Sequence, residues 1–492
     1  MLTAVIFLPL GIGLIVLLLP RQRTAWIRWT AAAGTLVELA LAVVLWAGFE
    51  LGGANLQWQT RANWIPSIGA SYHVAVDGLS LPLILLTALL SALAMIYVIP
   101  KQEQAKEHAF FFLLMETGLI GVFSARDLLL FYLFFEIGLV PMYFIVGIWG
   151  HERRRYAAIK FFIYTRAGSL AMLLSFLGLY LSVNPHTFEL ATIAQAQPLV
   201  GTAAAGLALL GLMMGFGVKL PIVPLHNWLP DAHVEAPTEG SVLLAGVLLK
   251  MGGYGMLQIM LRVVPGAVRR YGWVLLVIAL ISMLYGALAA LAQQDLKRLV
   301  AYTSINHMGY VTLGAAVWGL SSDPAVKQLA LNGAMLQMIS HGLLTGGMFF
   351  MVGILQQESG TREMSRFGGL LGRVPVFSGL LGLLAFGSLG LPGLSGFIAE
   401  FQVLGATVQV SVLAAALALL GLIVTTGLYV RVLIHVVMGQ PPEEMPALKD
   451  MGGRQLAVVV PLAAFSLLIG ILPGVILPIV DSATRLLSVL GG

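Results

Sequence analysis

The sequence predicts an all-α membrane protein with about fourteen transmembrane helices. We expect two inverted five-helix repeats among them, each with one broken helix. Of the 492 residues, 59% are hydrophobic and only 10% are charged, whereas soluble domains carry about 25% charged residues. Apolar runs long enough to cross a bilayer recur along the whole chain, and two of them are interrupted by Pro and Gly.

Apolar length and polar breaks place the individual helices. The N-terminal run MLTAVIFLPLGIGLIVLLLP lacks a basic n-region and a small-residue cleavage site, so we interpret it as the first helix rather than a signal peptide. No soluble domain fits anywhere, and residues 1–492 are expected to form a single domain. The spans have approximate limits of 2–20, 27–49, 81–100, 109–125, 128–149, 157–183, 203–229, 238–262, 272–293, 298–319, 325–355, 376–408, 410–438 and 455–480.

The two interrupted spans suggest internal symmetry. The seventh span is broken by GVKLPIVP and the twelfth by GSLGLPGLSGFIAEF. If residues 109–262 and 272–438 form two five-helix units, the broken helix is the fourth in each. Interrupted helices at corresponding positions are typical of inverted repeats that contain an ion path, because broken backbone persists at membrane depth only where protein or water satisfies it.

Charge and cysteine content exclude several classes of function. The chain has no cysteine, which excludes iron–sulfur clusters, thiolate metal sites and disulfides within it. The net charge of +5 comes from basic residues scattered in short loops, which does not support nucleic-acid binding. Loops after odd-numbered spans carry more than twice as many Lys and Arg residues as loops after even-numbered spans. We therefore expect the odd-numbered loops to be cytoplasmic and both termini to lie on the opposite side.

Four charged residues are expected near the middle of the membrane. Glu136 lies nine residues after Asp127, roughly 13–14 Å along a helix that crosses a core about 30 Å thick. Lys219 and Lys250 lie in apolar runs, and Glu400 carries the only formal charge between Arg373 and Arg431. Each such residue costs about 2.5–3.5 kcal/mol to insert, so a function is the natural reason for its presence.

Two histidines, His307 and His341, also lie inside predicted spans. In general, burial lowers the pKa of a lysine and an approaching carboxylate raises it. A buried lysine placed between these influences can therefore take up and release a proton. Pro221 and Pro224 free backbone carbonyls beside Lys219, where water can bind. The pattern predicts a hydrated proton relay.

Structural explanations remain open for each of these residues. Glu136 and Lys219 would also be explained as one ion pair that locks two helices. The two histidines would be explained as hydrogen-bonded core residues or as axial ligands of a haem. Glu116, in LLMETGLIGVFSARD, would be explained by helix packing. Residues at span ends have similar explanations: surface caps for Asp231, His233 and Glu235, interfacial anchors for Asp295, Lys297 and Arg298, and snorkelling for Arg166 and Arg431.

Several motifs resemble one known family. NWLPDAHVEAPTEGSVLLAGVLLKMGGYG, LVAYTSINHMGYV, LPGLSGFIAEF, FSARDLLLFYLFFEIGLVPMY and VAVDGLSLPL resemble the antiporter-like subunits of proton-pumping NADH:quinone oxidoreductase, respiratory complex I. The resemblance covers roughly residues 70–440. DAHVEAPTEGSVLLAGVLLK and Glu400 resemble the M (chain 4) type, since the L and N types carry lysine at that last position.

The resemblance implies a role for each matching residue. Glu136 corresponds to a glutamate that pairs with the lysine of the broken helix, here Lys219. Lys250 corresponds to the central lysine and Glu400 to the terminal carboxylate. His307 and His341 correspond to the polar relay between them, and Glu116 to a glutamate near the neighbouring subunit. Arg166 departs from the family pattern, in which an uncharged residue is usual, and would perturb the relay if it faces it.

The resemblance further implies a subunit without redox chemistry or cofactors of its own, in a bacterial plasma membrane. Flavin, iron–sulfur clusters and quinone are expected in partner subunits, with L- and N-type subunits as neighbours. Alternatives are a subunit of a multisubunit cation/proton antiporter, the membrane arm of an energy-converting hydrogenase, and a passive scaffold in which buried charges only hold helices together. Neither the electron donor nor the quinone type follows from the sequence.

Overall fold

The computed structural model describes residues 1–101, 103–443 and 445–490, and it is helical over 77% of the chain. In chain order the main helices are α1 (Leu2–Leu18), α2 (Thr24–Ala47), α3 (Ser80–Tyr97), α4 (Ala105–Ser124), α5 (Leu128–Trp149), α6 (Arg154–Leu181), α7 (Leu190–Ala196), α8 (Ala203–Lys219), α9 (Trp228–Glu235), α10 (Thr238–Val263), α11 (Gly272–Leu291), α12 (Leu296–Leu320), α13 (Pro324–Ser359), α14 (Pro375–Ser388), α15 (Ser395–Val410), α16 (Val412–Met438), α17 (Gly453–Ile471) and α18 (Leu477–Ser488). Shorter helices occupy Pro265–Arg270 and Leu370–Arg373, and 3₁₀ turns occupy Pro66–Ile68, Met364–Arg366 and Pro473–Val475.

Helix is present at every position where the sequence predicts a span. Among the described residues, ten helices are long and apolar enough to cross a membrane by length and composition. The shorter α1, α8 and α14 are also apolar. The chain is therefore a mainly helical, multi-pass membrane protein, as predicted. The total of fourteen crossings, the inverted relation of the two repeats and the orientation in the membrane remain predictions.

Helix ends follow from local capping chemistry. Asp127 precedes α5, and its side chain accepts hydrogen bonds from the backbone N–H groups of Leu129 and Leu130 at 2.9 and 3.1 Å. Asp295 caps α12 and Asp323 caps α13 in the same way. Each carboxylate satisfies donors that the first turn of a helix leaves unpaired, so these helices begin where an aspartate meets an apolar run.

The two predicted breaks are present. α8 ends at Lys219 and α9 begins at Trp228, which leaves the proline-containing residues 220–227 irregular. α14 ends at Ser388 and α15 begins at Ser395, so residues 389–394 are irregular as well. Proline removes the backbone N–H that a continuing helix needs, and glycine tolerates the turn conformations between the two halves. Both broken helices are positioned to present backbone to the interior of the bundle.

The helix that carries Lys250 is distorted on both sides of that residue. Two π-helical turns, Leu244–Leu248 and Met256–Met260, interrupt α10. Such turns insert an extra residue into the helical repeat and are frequent at functional sites. All of α10 is enclosed by other helices, since its apolar window is 100% buried. α10 is thus the central helix around which the site is built.

Two elements at one end of the bundle were not predicted. Strands β1 (Gln57–Ile65) and β2 (Ala70–Val76) form an antiparallel hairpin, with Arg61 paired to His73. The amphipathic α18 packs beside it, where Trp318 donates a hydrogen bond to the carbonyl of Leu487 at 2.9 Å. The last predicted span, 455–480, is too long, because α17 already ends at Ile471 and the prolines at 473 and 478 start new segments. We call this end, where the loops after even-numbered spans lie, the even-loop end, and the opposite end the odd-loop end.

Candidate functional site

Lys250 lies at the centre of the candidate site. Its side chain is fully buried, and Nζ donates a hydrogen bond of 2.5 Å to the carbonyl oxygen of Ala245, which belongs to the first π turn. Nζ also lies 2.6 Å from Nδ1 of His341 on α13. No carboxylate among the described residues forms a salt bridge with this lysine. A lysine that contacts an imidazole rather than a carboxylate can pass it a proton without breaking a strong ion pair.

The line of buried polar groups continues from His341 to Glu400. The rings of His341 and His307 have centroids 5.7 Å apart. Nδ1 of His307 lies 3.5 Å from Oε1 of Glu400 and 3.2 Å from Nε2 of Gln337. Neutral imidazole accepts a hydrogen bond from an amide at the nitrogen that lacks hydrogen, and protonated imidazole donates to a carboxylate. His307 therefore has a suitable partner in either protonation state.

A small cavity lies beside the two histidines. Its volume is about 10 Å³, and its lining includes both rings together with Gln337, Ser340 and Glu400. A space of roughly 10–15 Å³ on this measure holds one water molecule. The Nε2 atoms of both histidines and Oε2 of Glu400 are buried and have no hydrogen-bond partner among the described residues. One water molecule in the cavity would satisfy such atoms and would complete a path from Lys250 to Glu400.

This geometry bears on the haem explanation for the histidines. A bis-imidazole haem needs a slot for the macrocycle between the two rings, and the cavity of about 10 Å³ has no room for it. Within the described residues there is also no group of three His, Cys, Asp or Glu side chains placed to hold a metal ion. The histidines are polar links in a chain that contains a lysine and a carboxylate.

The break between α14 and α15 brings backbone directly against Glu400. Gly390 has φ +80°, and a Cβ atom built on it would lie 2.5 Å from Oε2 of Glu400. The left-handed backbone and the close approach both require glycine at this position. The turn in GSLGLPGLSG therefore allows the backbone to lie against the terminal carboxylate of the relay.

Gly390→Ala is expected to impair proton transport strongly and to destabilise the chain by about 1 kcal/mol or more, because alanine disfavours positive φ. The added methyl group must also displace the Glu400 carboxylate. Transport by the reconstituted complex and the amount of assembled complex measure the two effects. Gly382→Ala, in the preceding helix α14, has nothing within 4 Å of the added atom and is the control. Equal transport by both variants would contradict a functional position for Glu400.

Lys219 is held at the end of α8 without a polar partner. It is 1% exposed, and its Nζ has no hydrogen-bond partner among the described residues. The ammonium lies 5.1 Å from the ring centroid of Phe135 and 5.6 Å from that of Phe161, which are cation–π distances. Gly252 packs on the adjacent backbone, since a Cβ atom there would meet the nitrogen of Leu220 at 2.7 Å. Lys219 thus lies beside α10. Its ammonium contacts two aromatic rings instead of the carboxylate that was expected to pair with it.

The expected ion pair between Glu136 and Lys219 is absent from the described residues, and this expectation was wrong. Instead, Nη1 of Arg166 donates to Oε2 of Glu136. α5 and α6 are neighbouring helices, and the long guanidinium side chain reaches the carboxylate from the outer surface, where its side chain remains 43% exposed. The Arg166 side chain therefore does not snorkel to the membrane surface. Arg166 binds Glu136, the carboxylate that was expected to pair with Lys219.

Other predicted residues have mixed outcomes. Glu116 is fully buried, without a hydrogen-bond partner among the described residues, and contacts none of the other relay residues. His233 is not a surface cap, because it is fully buried and stacks on Phe349 with ring centroids 4.5 Å apart. Lys297 is not an interfacial anchor, since it is 1% exposed and donates to the carbonyl of Ala236.

Two buried polar networks were missed by sequence reasoning. At the odd-loop end, Glu239 accepts from Lys101 at 2.7 Å and lies 3.1 Å from His108. At the even-loop end, Asp77 pairs with Arg126 at 3.1 Å beside a cavity of about 700 Å³. Glu239 and Asp77 both lie within motifs that carry the family resemblance, which was the available signal. These networks lie towards the two ends of the bundle, on either side of Lys250.

A family model agrees with this arrangement. The model described as "NADH:quinone oxidoreductase/Mrp antiporter, TM" matches residues 125–426, which include Glu136, Lys219, Lys250 and Glu400. The chain belongs to this family. The resemblance seen in the motifs is thereby confirmed.

Individual relatives span nearly the whole chain. NADH-quinone oxidoreductase subunit M of Rhodobacter capsulatus is 37% identical over 97% of this chain and 94% of its own length. NAD(P)H-quinone oxidoreductase chain 4 1 of Synechococcus elongatus is 38% identical over 99% of this chain and 91% of its own. A chain of respiratory complex I from Thermus thermophilus superposes with a TM-score of 0.89 at 30% identity, covering 100% of both chains. A chain of the Mrp complex from Dietzia shares the fold, with a TM-score of 0.87 at 19% identity over 100% of this chain and 98% of that one.

Proposed function

We propose that the chain is a proton-translocating membrane subunit of a complex I-type NADH:quinone oxidoreductase. The observation that carries the proposal is the buried line from Lys250 through His341 and His307 to Glu400, with a cavity of about one water molecule beside the histidines. The subunit M and chain 4 names of its relatives support the assignment to this class of complex. The chain itself would perform no redox chemistry.

The coupling between neighbouring groups follows from charge. A charge in the bilayer interior is costly unless a neighbour compensates it, so a change at one end of the line alters the proton affinity of the next group. We propose that a proton moves from Lys219 to Lys250, then through His341 and His307 to Glu400. Electron transfer to quinone in partner subunits would drive the alternation. Glu116 and Glu136 belong to the same relay in this proposal.

The surroundings of the chain complete the proposal. L- and N-type subunits are the proposed neighbours, and the flavin, iron–sulfur clusters and quinone belong to partner subunits. Residues 109–262 and 272–438 are proposed to be two inverted repeats of one domain in a bacterial inner membrane, with odd-numbered loops cytoplasmic. The second candidate, a cation/proton antiporter subunit, is favoured by the shared fold with the Mrp complex chain.

Purification in mild detergent separates the two candidates. We expect chains that carry flavin and iron–sulfur clusters to co-purify with this one, and mass spectrometry of the intact complex identifies them. NADH oxidation coupled to quinone reduction by the same preparation is the functional control. A preparation that contains only small membrane subunits and no redox chain would reject the oxidoreductase and support the antiporter.

A further inference from the structure

The peripheral helices α2 and α4 contain buried carboxyl groups that lie outside the line from Lys250 to Glu400. Glu38 on α2 and Glu116 on α4 both have 0% exposure. All four of their carboxyl oxygens are without a hydrogen-bond partner among the described residues, and so is the hydroxyl of Ser91 on α3. Buried polar groups in proteins are nearly always hydrogen-bonded. Three such groups on three adjoining helices therefore indicate a polar site.

The two glutamates lie at the same depth. Nη1 of Arg28 on α2 is 2.9 Å from Nδ1 of His108 on α4, and this contact aligns the two helices near the odd-loop end. Glu38 follows Arg28 by ten residues and Glu116 follows His108 by eight, which correspond to about 15 and 12 Å along parallel helices. α2 and α4 both begin at the odd-loop end and pack against each other. The carboxyl groups are close enough for their charges to interact, and Ser91 adjoins Glu116.

This depth is also that of Lys250. Tyr254 on α10 donates a hydrogen bond of 2.8 Å to the carbonyl of Phe123 on α4, so the two parallel helices are in register there. Glu116 lies seven residues before Phe123, and Lys250 lies four residues before Tyr254. The three-residue difference is about 4.5 Å along the axis. The carboxyl pair therefore lies at nearly the same depth as the central lysine.

Electrostatics decides the protonation of such a pair. Within the described residues, neither carboxyl group has a lysine, arginine or histidine within salt-bridge distance. An isolated carboxylate in an apolar interior is costly, and two neighbouring carboxylates repel each other. At least one of the two groups must therefore carry a proton in the folded chain.

We propose that Glu38 and Glu116, with Ser91, form a second proton-binding site in which the two carboxyl groups share a proton. An O–H bond on one glutamate breaks as an O–H bond on the other forms, and the Ser91 hydroxyl donates to the carboxyl group that is ionised. The site is assembled from α2, α3 and α4, outside the line from Lys250 to Glu400. It holds a proton beside the relay at the level of the central lysine.

Infrared difference spectroscopy of the purified complex tests the sharing directly, without depending on transport. The carbonyl band of a protonated carboxyl group is obtained as wild type minus Glu116→Gln. The same difference is then taken in a Glu38→Gln background. If the two carboxyl groups share a proton, the band shifts or disappears when the difference is taken in the Glu38→Gln background. Ser91→Ala is then expected to shift the band that is obtained in the wild-type background. An identical band in both backgrounds, or no protonated-carboxyl band at all, would overturn the proposal.

Proton transport supplies an independent readout that rests on the proposed function. If the carboxyl groups act as a unit, combining Glu38→Gln with Glu116→Gln causes no greater loss of transport than the more damaging of the two single substitutions. Additive losses would show two separate sites. Glu50→Gln removes an exposed carboxylate just beyond the end of α2 and should leave the spectrum and transport unchanged. Glu38→Asp retains the carboxyl group and serves as the control for misfolding. Every variant is compared only if it yields as much assembled complex as the wild type.

Discussion

Lys250→Met is expected to abolish proton transport through this chain while the complex still assembles. Methionine keeps much of the length of the side chain and suits an apolar interior, so packing is largely preserved. The proton then has no basic group between the broken helix and His341. A bare charge at this depth costs about 2.5–3.5 kcal/mol even on lenient insertion scales, which corresponds to roughly a hundredfold loss of rate. The measurement is the number of protons transported per electron by the complex reconstituted in vesicles.

A matched lysine provides the control for this experiment. Lys449 lies in an exposed loop, and Lys449→Met makes the same chemical change away from the relay. It should leave transport unchanged. If Lys250→Met also transports normally in a fully assembled complex, the buried charges only hold helices together and the chain is a passive scaffold.

Arg166→Leu is expected to reduce proton transport by altering the partner of Glu136. The arginine now pairs with that glutamate, while the Lys219 ammonium lies against two aromatic rings and has no hydrogen-bond partner among the described residues. Without Arg166, the carboxylate is free to attract the Lys219 ammonium. An opposite charge within about 4–6 Å favours the charged form of a lysine, so Lys219 would release its proton less readily. Each 1.4 kcal/mol of such stabilisation corresponds to about a tenfold slower step.

The explanation requires that the loss depend on Glu136. A second substitution, Glu136→Gln, removes the carboxylate that would hold Lys219, so Arg166→Leu should have little further effect in that background. Arg155→Leu changes an exposed arginine near the start of the same helix α6 and serves as the control for loss of positive charge. Equal losses from Arg166→Leu in the presence and absence of Glu136 would contradict this account.

Much of the fold could be predicted because membrane spans depend on local composition. An apolar run of helix-spanning length has few alternatives in lipid, and the proline and glycine breaks around 220–227 and 389–394 are visible in the sequence. The hairpin of β1 and β2 was missed because it lies in a loop between two apolar runs and because β1, QWQTRANWI, does not alternate apolar and polar residues. α17 was predicted too long because an apolar stretch that ends in an amphipathic helix resembles one continuous span.

The candidate site was predicted in its residues but only partly in its contacts. Lys250 and Glu400 are conspicuous as isolated charges in apolar runs, and His307 and His341 as polar groups within them. Glu38 meets the same criterion and was overlooked. The pairing of Glu136 was wrong because sequence spacing gives the depth of a side chain and leaves its direction open. Arg166 and Lys219 both lie near that glutamate, and only the packing of α5 against α6 decides which cation reaches it.

A high-resolution electron cryomicroscopy map of the intact complex in a lipid environment is the most direct test of the central claim. In the cavity beside the rings of His341 and His307 it should show an ordered water molecule bonded to at least one imidazole, which would join Lys250 to Glu400 by a continuous hydrogen-bonded path. Apolar side chains filling that space, with the two histidines separated and dry, would contradict proton conduction along this line.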